Sequence, residues 1–166
     1  MNEAVKIFHK YNYHQGSILD IGCGTGFLSK LSQGNFEYTG INISSKMLGY
    51  ATKRGYKTIH KSIETALPEI DSQSYDFVFC LSSLYLVEDA ATAIKHIYRI
   101  ARKAIFISLD EMTEEYIKKV VVPAYDYSKI TIKNVIEDYF ILGLTSPTTG
   151  ILIRTRMIYI EQKNYI

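Results

Sequence analysis

Along the first two thirds of the chain, short apolar runs alternate with segments whose apolar residues recur every three or four positions. Ser17–Ile21 and Tyr75–Leu81 (YDFVFCL) are dense in β-branched and aromatic residues, the pattern of strands covered on both faces. Phe36–Ile43 (FEYTGINI) reads as a strand between them, Lys57–Ile63 (KTIHKSI) as a weaker one, and Ala104–Leu109 (AIFISL) as a fifth. Helical spacing joins Ala4, Ile7, Phe8 and Tyr11, then Phe27, Leu28 and Leu31, then Met47, Leu48 and Ala51, then Ile94, Ile97, Tyr98 and Ala101. Ser44 and Asp89 stand where a side chain can cap the first turn of a helix. After Asp110 the rhythm changes. Glu111–Lys129 is interrupted by Pro123, which breaks a helix. Ile132, Val135, Ile136, Tyr139 and Phe140 then predict another helix, with Thr131 as its cap, and GILIRTRMIYIEQK predicts two strands or one bent hairpin. The alternation predicts an α/β fold with three α/β/α layers. Its doubly wound, mostly parallel sheet would carry an antiparallel C-terminal strand pair. No linker divides residues 1–166, so one domain with a short N-terminal helix is expected.

Composition narrows the classes of function. A chain of 166 residues that is 47% apolar and 22% charged can bury a core and is not a disordered polymer. With 19 basic against 17 acidic residues the formal charge is +2, too balanced for a nucleic-acid partner to be expected. Lys53, Arg54, Lys57 and Lys61 form a local basic patch that reads as a solvated face. Cys23 and Cys80 lack metal-ligand spacing, and no carboxylate cluster follows the fifth strand, so no metal is expected. The opening MNEAVKIFHKYNYH has no apolar signal core, and no apolar stretch approaches the roughly 20 residues of a membrane helix. Reduced thiols and the lack of a signal lead to the expectation of a cytoplasmic protein without a membrane partner.

The candidate chemistry lies after the first strand. SILDIGCGTGFLSKL places Gly22, Gly24 and Gly26 between a buried strand and a helical pattern, although each glycine costs backbone entropy that alanine does not. In a doubly wound sheet a ligand lies beyond the carboxyl ends of the strands, where the winding reverses. A glycine loop there lets the backbone approach a cofactor closely. The spacing is G-x-G-x-G, with Phe27 after the third glycine, and so differs from the G-x-G-x-x-G of dinucleotide sites.

ILDIGCGTGFLSKL resembles the first motif of the class I S-adenosylmethionine-dependent methyltransferases, in particular small-molecule, type 11-like members. YTGINISSKML is similar to their second motif, and KSIETALPEIDSQSYDFVFCLSSLYLVED to their third and fourth segments. The resemblance runs from about Gly16 to Leu109 and implies a Rossmann-like methyltransferase fold. It also implies a site. Gly22, Cys23 and Gly24 would lie against the methionine end of S-adenosylmethionine, and Asp20 would face its ammonium group. Asn42 would meet the ribose hydroxyls, while Ile43 and Met47 would flank the adenine. Ser62 and Ile63 would reach the adenine edge, with Glu64 as a competitor, and Leu81 and Ser82 would lie near the transferable methyl. Two positions depart from the family pattern. Asn42 stands where an acid is usual, and Ser62 or Ile63 replaces the adenine-binding acid.

The implied activity is transfer of a methyl group to an O, N or C atom of a small molecule, leaving S-adenosylhomocysteine. Alignment does most of such work, and a base is needed only when the acceptor starts protonated. Tyr85 and Asp110 are the catalytic candidates, with Glu111 beside the latter. Glu111–Lys129, which contains Tyr125 and Tyr127, is the candidate lid. Only Met1–Gly16 precede the first strand, so a homo-oligomer could complete the cap over the site. The departures at Asn42 and Ser62 also leave open a cofactor-binding subunit or module that is catalytically weak or inactive. A nicotinamide-dependent oxidoreductase is disfavoured by the glycine spacing.

Overall fold

The computed structural model of the protein describes residues 6, 8–30, 34–112, 140–147 and 153–161. Its strands are β1 (Gln15–Ile21), β2 (Asn35–Asn42), β3 (Lys57–His60), β4 (Tyr75–Cys80), β5 (Ala101–Met112), β6 (Phe140–Pro147) and β7 (Ile153–Glu161). They form one sheet in the order β3-β2-β1-β4-β5-β7-β6. The first five strands pair in parallel, and β7 runs antiparallel between β5 and β6.

Both faces of the parallel part are covered, which is why its strands read as nearly continuous apolar runs. Phe77 and Phe79 of β4 pack with Phe8, Ile18, Leu28 and Phe106 on one face. Val78 and Cys80 point the other way, to Leu19, Ile21, Ile41, Ile105 and Ile107. The helices α1 (Ser45–Lys53), α2 (Ile63–Ala66) and α3 (Ala90–Ile100) flank the sheet. Ser44, Ser62 and Asp89 cap them, accepting from the N–H groups of Met47, Thr65 and Thr92. α3 buries Ala90, Ala93, Ile94, Ile97 and Ile100 against the Val78 face. α1 buries Leu48 and Ala51 beside Tyr38, which also packs against the Phe77 cluster, so α1 lies on the opposite face. The winding therefore reverses between β1 and β4, neighbours in the sheet that are not consecutive in the chain.

Several elements differ from the sequence reading. Of the helix expected over Phe27–Leu31, Phe27–Lys30 form a 3-10 turn and Leu31 lies outside the described residues. In that turn Leu28 is buried and Phe27 is 44% exposed. The third strand stops at His60, and Ile63 opens α2. β5 is longer at both ends than Ala104–Leu109: Ala101 pairs with Tyr75 of β4, and β7 pairs along it as far as Met112. Phe140 begins β6 rather than ending a helix, and the described part of GILIRTRMIYIEQK forms β7. The rest of that expected helix (residues 132–139) and residues 113–129 of the expected lid lie outside the described residues.

Candidate cofactor site

The carboxyl ends of the parallel strands form one edge. Asp20 of β1 is in register with Gly40 of β2 and Phe79 of β4, and Asn42 with His60 of β3. Asp20 is a carboxylate only 6% exposed. Its side chain shares the α1 face with Tyr56, whose hydroxyl donates to Asp20 Oδ2 at 2.9 Å. Burial, offset in part by that hydrogen bond, pushes the Asp20 carboxyl up to about 7. Burial and the charge of Asp20 push the Cys23 thiol up to about 12, and they also raise the Tyr56 phenol, which stays a donor. Gly40 makes room for this cluster: a Cβ there would lie 2.6 Å from Cys23 Sγ and 2.8 Å from a Tyr56 ring carbon.

The loop after β1 turns on three left-handed glycines, with φ of +70° at Gly22, +53° at Gly24 and +72° at Gly26. Two are packed from behind. A Cβ on Gly22 would fall 2.0 Å from Ser83 Oγ, and one on Gly26 3.0 Å from the Ala51 backbone. At Gly24 a Cβ would meet nothing within 4 Å. The loop is thus backed by protein at its ends and open at its middle. Arg54 grips it further, donating through Nη1 to the Thr25 carbonyl at 2.7 Å and to Thr25 Oγ1 at 2.8 Å. Cys23 turns inward. Its N–H donates to the Ile41 carbonyl, its own carbonyl accepts from Gly26, and its thiol packs with Leu48, Ala51 and Tyr56.

A second turn leaves β2. Asn42 Oδ1 accepts from the Ser44 N–H at 2.8 Å, which leaves the amide NH₂ as the group it can offer elsewhere. His60 Nε2 lies 2.8 Å from the Ile43 carbonyl, which can only accept, so the ring donates there. With its backbone held, Ile43 leaves its side chain 73% exposed, and Met47 in the first turn of α1 is 45% exposed. Ser62 spends its hydroxyl on capping α2, Ile63 is half-buried, and Glu64 accepts from the Glu88 N–H at 3.4 Å. Beyond β4, half-buried Leu81 precedes Ser82, a non-glycine residue at φ +52°. That conformation is fixed by the Ser82 N–H donating to the buried Ser108 Oγ at 2.5 Å.

Asp20, Gly22, Gly24, Asn42, Ile43, Leu81 and Ser82 therefore fall on or just beyond one sheet edge, with Met47, Ser62 and Ile63 at the starts of the next helices. Tyr85 lies in the 3-10 turn Leu84–Leu86. Asp110 and Glu111, expected just beyond a fifth strand ending at Leu109, are strand residues of β5, opposite Thr155 and Arg154. The continued pairing with β7 explains why. Tyr56, Arg54, Ser83 and His60 were missed. Their partners are 17 to 61 positions away in the chain, so no local spacing announces them. Among the described residues no group of three or more His, Cys, Asp or Glu is gathered to hold a metal, and no helix is long and apolar enough to cross a membrane.

Residues 19–107, from the glycine-loop strand to the fifth strand, match the family described as methyltransferase domain. The chain belongs to that family. The methyltransferase domain is 27% identical over 104 residues to a malonyl-[acyl-carrier protein] O-methyltransferase of Calditerrivibrio nitroreducens, a match covering 62% of this chain and 41% of that protein. It thus spans about two fifths of that relative's length. In fold it is similar to magnesium protoporphyrin IX methyltransferase from Synechocystis PCC 6803 with bound S-adenosylhomocysteine, with a TM-score of 0.77 at 22% identity over 97% of this chain and 81% of that one. The N-methyltransferase NodS from Bradyrhizobium japonicum WM9 has a TM-score of 0.73 at 14% identity, over 98% and 94% of the two chains.

Proposed function

We propose that this methyltransferase domain binds S-adenosylmethionine across the carboxyl ends of β1 and β2. It then transfers the methyl group to an O, N or C atom of a small molecule, with S-adenosylhomocysteine as product. The observation that carries the reading is the loop of three left-handed glycines at the winding reversal, open in front of Gly24 and floored by the buried Asp20 carboxylate. The residues present suit such a ligand. A backbone without side chains admits close approach, a buried carboxylate suits an ammonium, and the exposed Ile43 and Met47 suit the two faces of a purine.

When bound, S-adenosylmethionine supplies a methyl carbon whose bond to sulfonium sulfur breaks as the bond to the acceptor forms. The chain's part is alignment and exclusion of water. Ser82 and the backbone after Leu81 would border the methyl, in a turn held by the Ser82–Ser108 bond. Tyr85, just past β4, is the candidate to take a proton from a protonated acceptor. Asp110 is carried by β5 three residues beyond the level at which Ile107 pairs with Cys80, roughly 10 Å farther along the strand. The relatives' names span a carrier-bound malonyl group, a magnesium porphyrin and an N-methylated substrate, so the acceptor is kept at the level of a small molecule.

Calorimetric titration with S-adenosylhomocysteine, S-adenosylmethionine and NAD tests the site, and radiolabelled methyl transfer to a panel of small acceptors tests the reaction. Binding of the first two and not of NAD is expected. Binding of NAD without S-adenosylhomocysteine would overturn the reading.

A further inference from the structure

Arg54, Gly55 and Tyr56 form the turn that leads out of α1 into β3, with Gly55 at φ +89°. This turn reaches back to the glycine loop twice, through Arg54 to Thr25 and through Tyr56 to Asp20. The Tyr56 ring is fixed independently of its hydroxyl. It is 4% exposed, stacks on Tyr38 at 5.0 Å between centroids, and packs with Cys23, Leu48 and Ala51. The hydroxyl therefore has a set position, and it meets one carboxylate oxygen.

We propose that Tyr56 is a positioning residue of the cofactor site. Its hydroxyl fixes the orientation of Asp20 and holds that carboxylate in the charged form that receives the ligand's ammonium group. The inference rests on the reading of Asp20 as the ammonium partner. A phenol can only donate to a carboxylate acceptor, so the bond favours the ionised acid over the neutral one. The oxygen that Tyr56 occupies is Oδ2, which leaves Oδ1 for a second donor. Cys23 on the loop also acts on this carboxyl; its thiol, pushed up to about 12, stays neutral at physiological pH and brings no cation to compete with an incoming ammonium, while Tyr38 of β2 stacks on the Tyr56 ring. From β4 the register partner is Phe79, which does not titrate. Burial draws the Asp20 carboxyl to about 7, so its charge responds to pH in the range where binding is measured.

The test compares two ligands across pH 6 to 8.5: S-adenosylhomocysteine, and 5′-methylthioadenosine, which lacks the ammonium end. For the unaltered chain, affinity for the first falls about 8-fold from pH 7.5 to 6, and affinity for the second stays level. Tyr56→Phe keeps the ring and removes the donor. It moves the midpoint of the S-adenosylhomocysteine profile up by about one pH unit, weakens binding about 5-fold at pH 7, and nearly recovers by pH 8.5. A merely structural role would weaken both ligands at every pH. An unshifted midpoint for Tyr56→Phe, with a normal profile in the unaltered chain, overturns the proposal for Tyr56 alone. A flat profile in the unaltered chain, with Asp20→Asn harmless to S-adenosylhomocysteine, overturns instead the reading of Asp20. If Tyr56→Phe does not fold, incorporating 3-fluorotyrosine at position 56 gives a stronger donor. It must then lower the midpoint, and an unmoved midpoint counts against the proposal.

Discussion

Gly22 and Gly24 are two positions apart and share a left-handed conformation, yet a methyl group added to each meets opposite surroundings. At Gly22 it strikes Ser83, so Gly22→Ala must move the turn after β4 and lowers the melting temperature most. At Gly24 it points into open space, and the cost is the left-handed backbone alone, about 1–2 kcal/mol. Gly24→Ala therefore folds but loses most affinity for S-adenosylhomocysteine, and Gly24→Val abolishes it. Calorimetry and thermal melts on both variants separate the two effects. Asn42 offers a gain instead. Aspartate there keeps an oxygen for the Ser44 N–H and presents a second oxygen where the NH₂ now stands. A charge-assisted bond in place of a neutral one is worth about 1–2 kcal/mol, so Asn42→Asp tightens binding roughly 5- to 30-fold. Unchanged binding would mean that the NH₂ donates to the ligand or to a neighbouring carbonyl. Asp20 carries a cost as well as a role. Its folded-state carboxyl titrates near 7 against 3.8 ordinarily, so its contribution is full below 3.8 and is lost as pH rises through 7. A bound ammonium reverses that loss. Asp20→Asn should accordingly raise the melting temperature of the ligand-free protein at pH 8 while weakening S-adenosylhomocysteine, a trade of stability against function.

Arg54 illustrates how an element changes the meaning of a residue. In sequence it belongs to a run of basic residues and reads as solvated, and three of the four do stand at the surface: Lys57 pairs with Glu37, Lys61 with Glu69, and Lys53 lies over the Tyr50 ring. Arg54 alone turns inward to Thr25, because it occupies the C-terminal end of α1, level with the glycine loop. Both bonds to Thr25 leave one nitrogen, Nη1, and the lysine ammonium ends one bond nearer the backbone, so Arg54→Lys should weaken S-adenosylhomocysteine a few-fold with little change in melting temperature. Equal affinity for both proteins would reduce the contact to packing. Strands β1 to β4, most of β5, the glycine loop and the caps Ser44 and Asp89 were legible in the sequence because each is announced by residues within a few positions. The 3-10 turn at Phe27, the full length of β5 and the whole of β6 were not. Asp110-Glu111 looks like a loop until β7 is known to lie beside it, and Phe140 fits a helical stripe as well as a strand. The roles of Tyr56 and Ser83 in the candidate site depend on contacts that only the folded sheet creates.

At the other end of the sheet from the site, Asp76 gathers β1, β4 and β5. It accepts from the Ser17 N–H at 3.0 Å, with Lys103 at 3.2 Å and Arg102 at 3.6 Å from Oδ1. Burial opposes its charge, but Ser17, Lys103 and Arg102 outweigh it and hold the carboxyl below its ordinary range. Its stabilisation is present above the usual carboxylate titration and is lost as pH falls through the depressed value. Asp76→Ala should cost about 2 kcal/mol in denaturant unfolding and leave S-adenosylhomocysteine affinity unchanged, since no site residue touches it. The strand order has a different kind of consequence. β7 lies between β5 and β6, although β6 precedes it in the chain. During synthesis on a ribosome, β6 emerges before its one described neighbour in the sheet exists, and β5 presents an open edge for as long as β7 is missing. The nascent protein can therefore assemble the parallel half early, but it has to hold β6 in waiting. A chain stalled or cut between Pro147 and Ile153 would leave one apolar strand unpaired and one edge bare, the state most exposed to capture by chaperones or by its own copies.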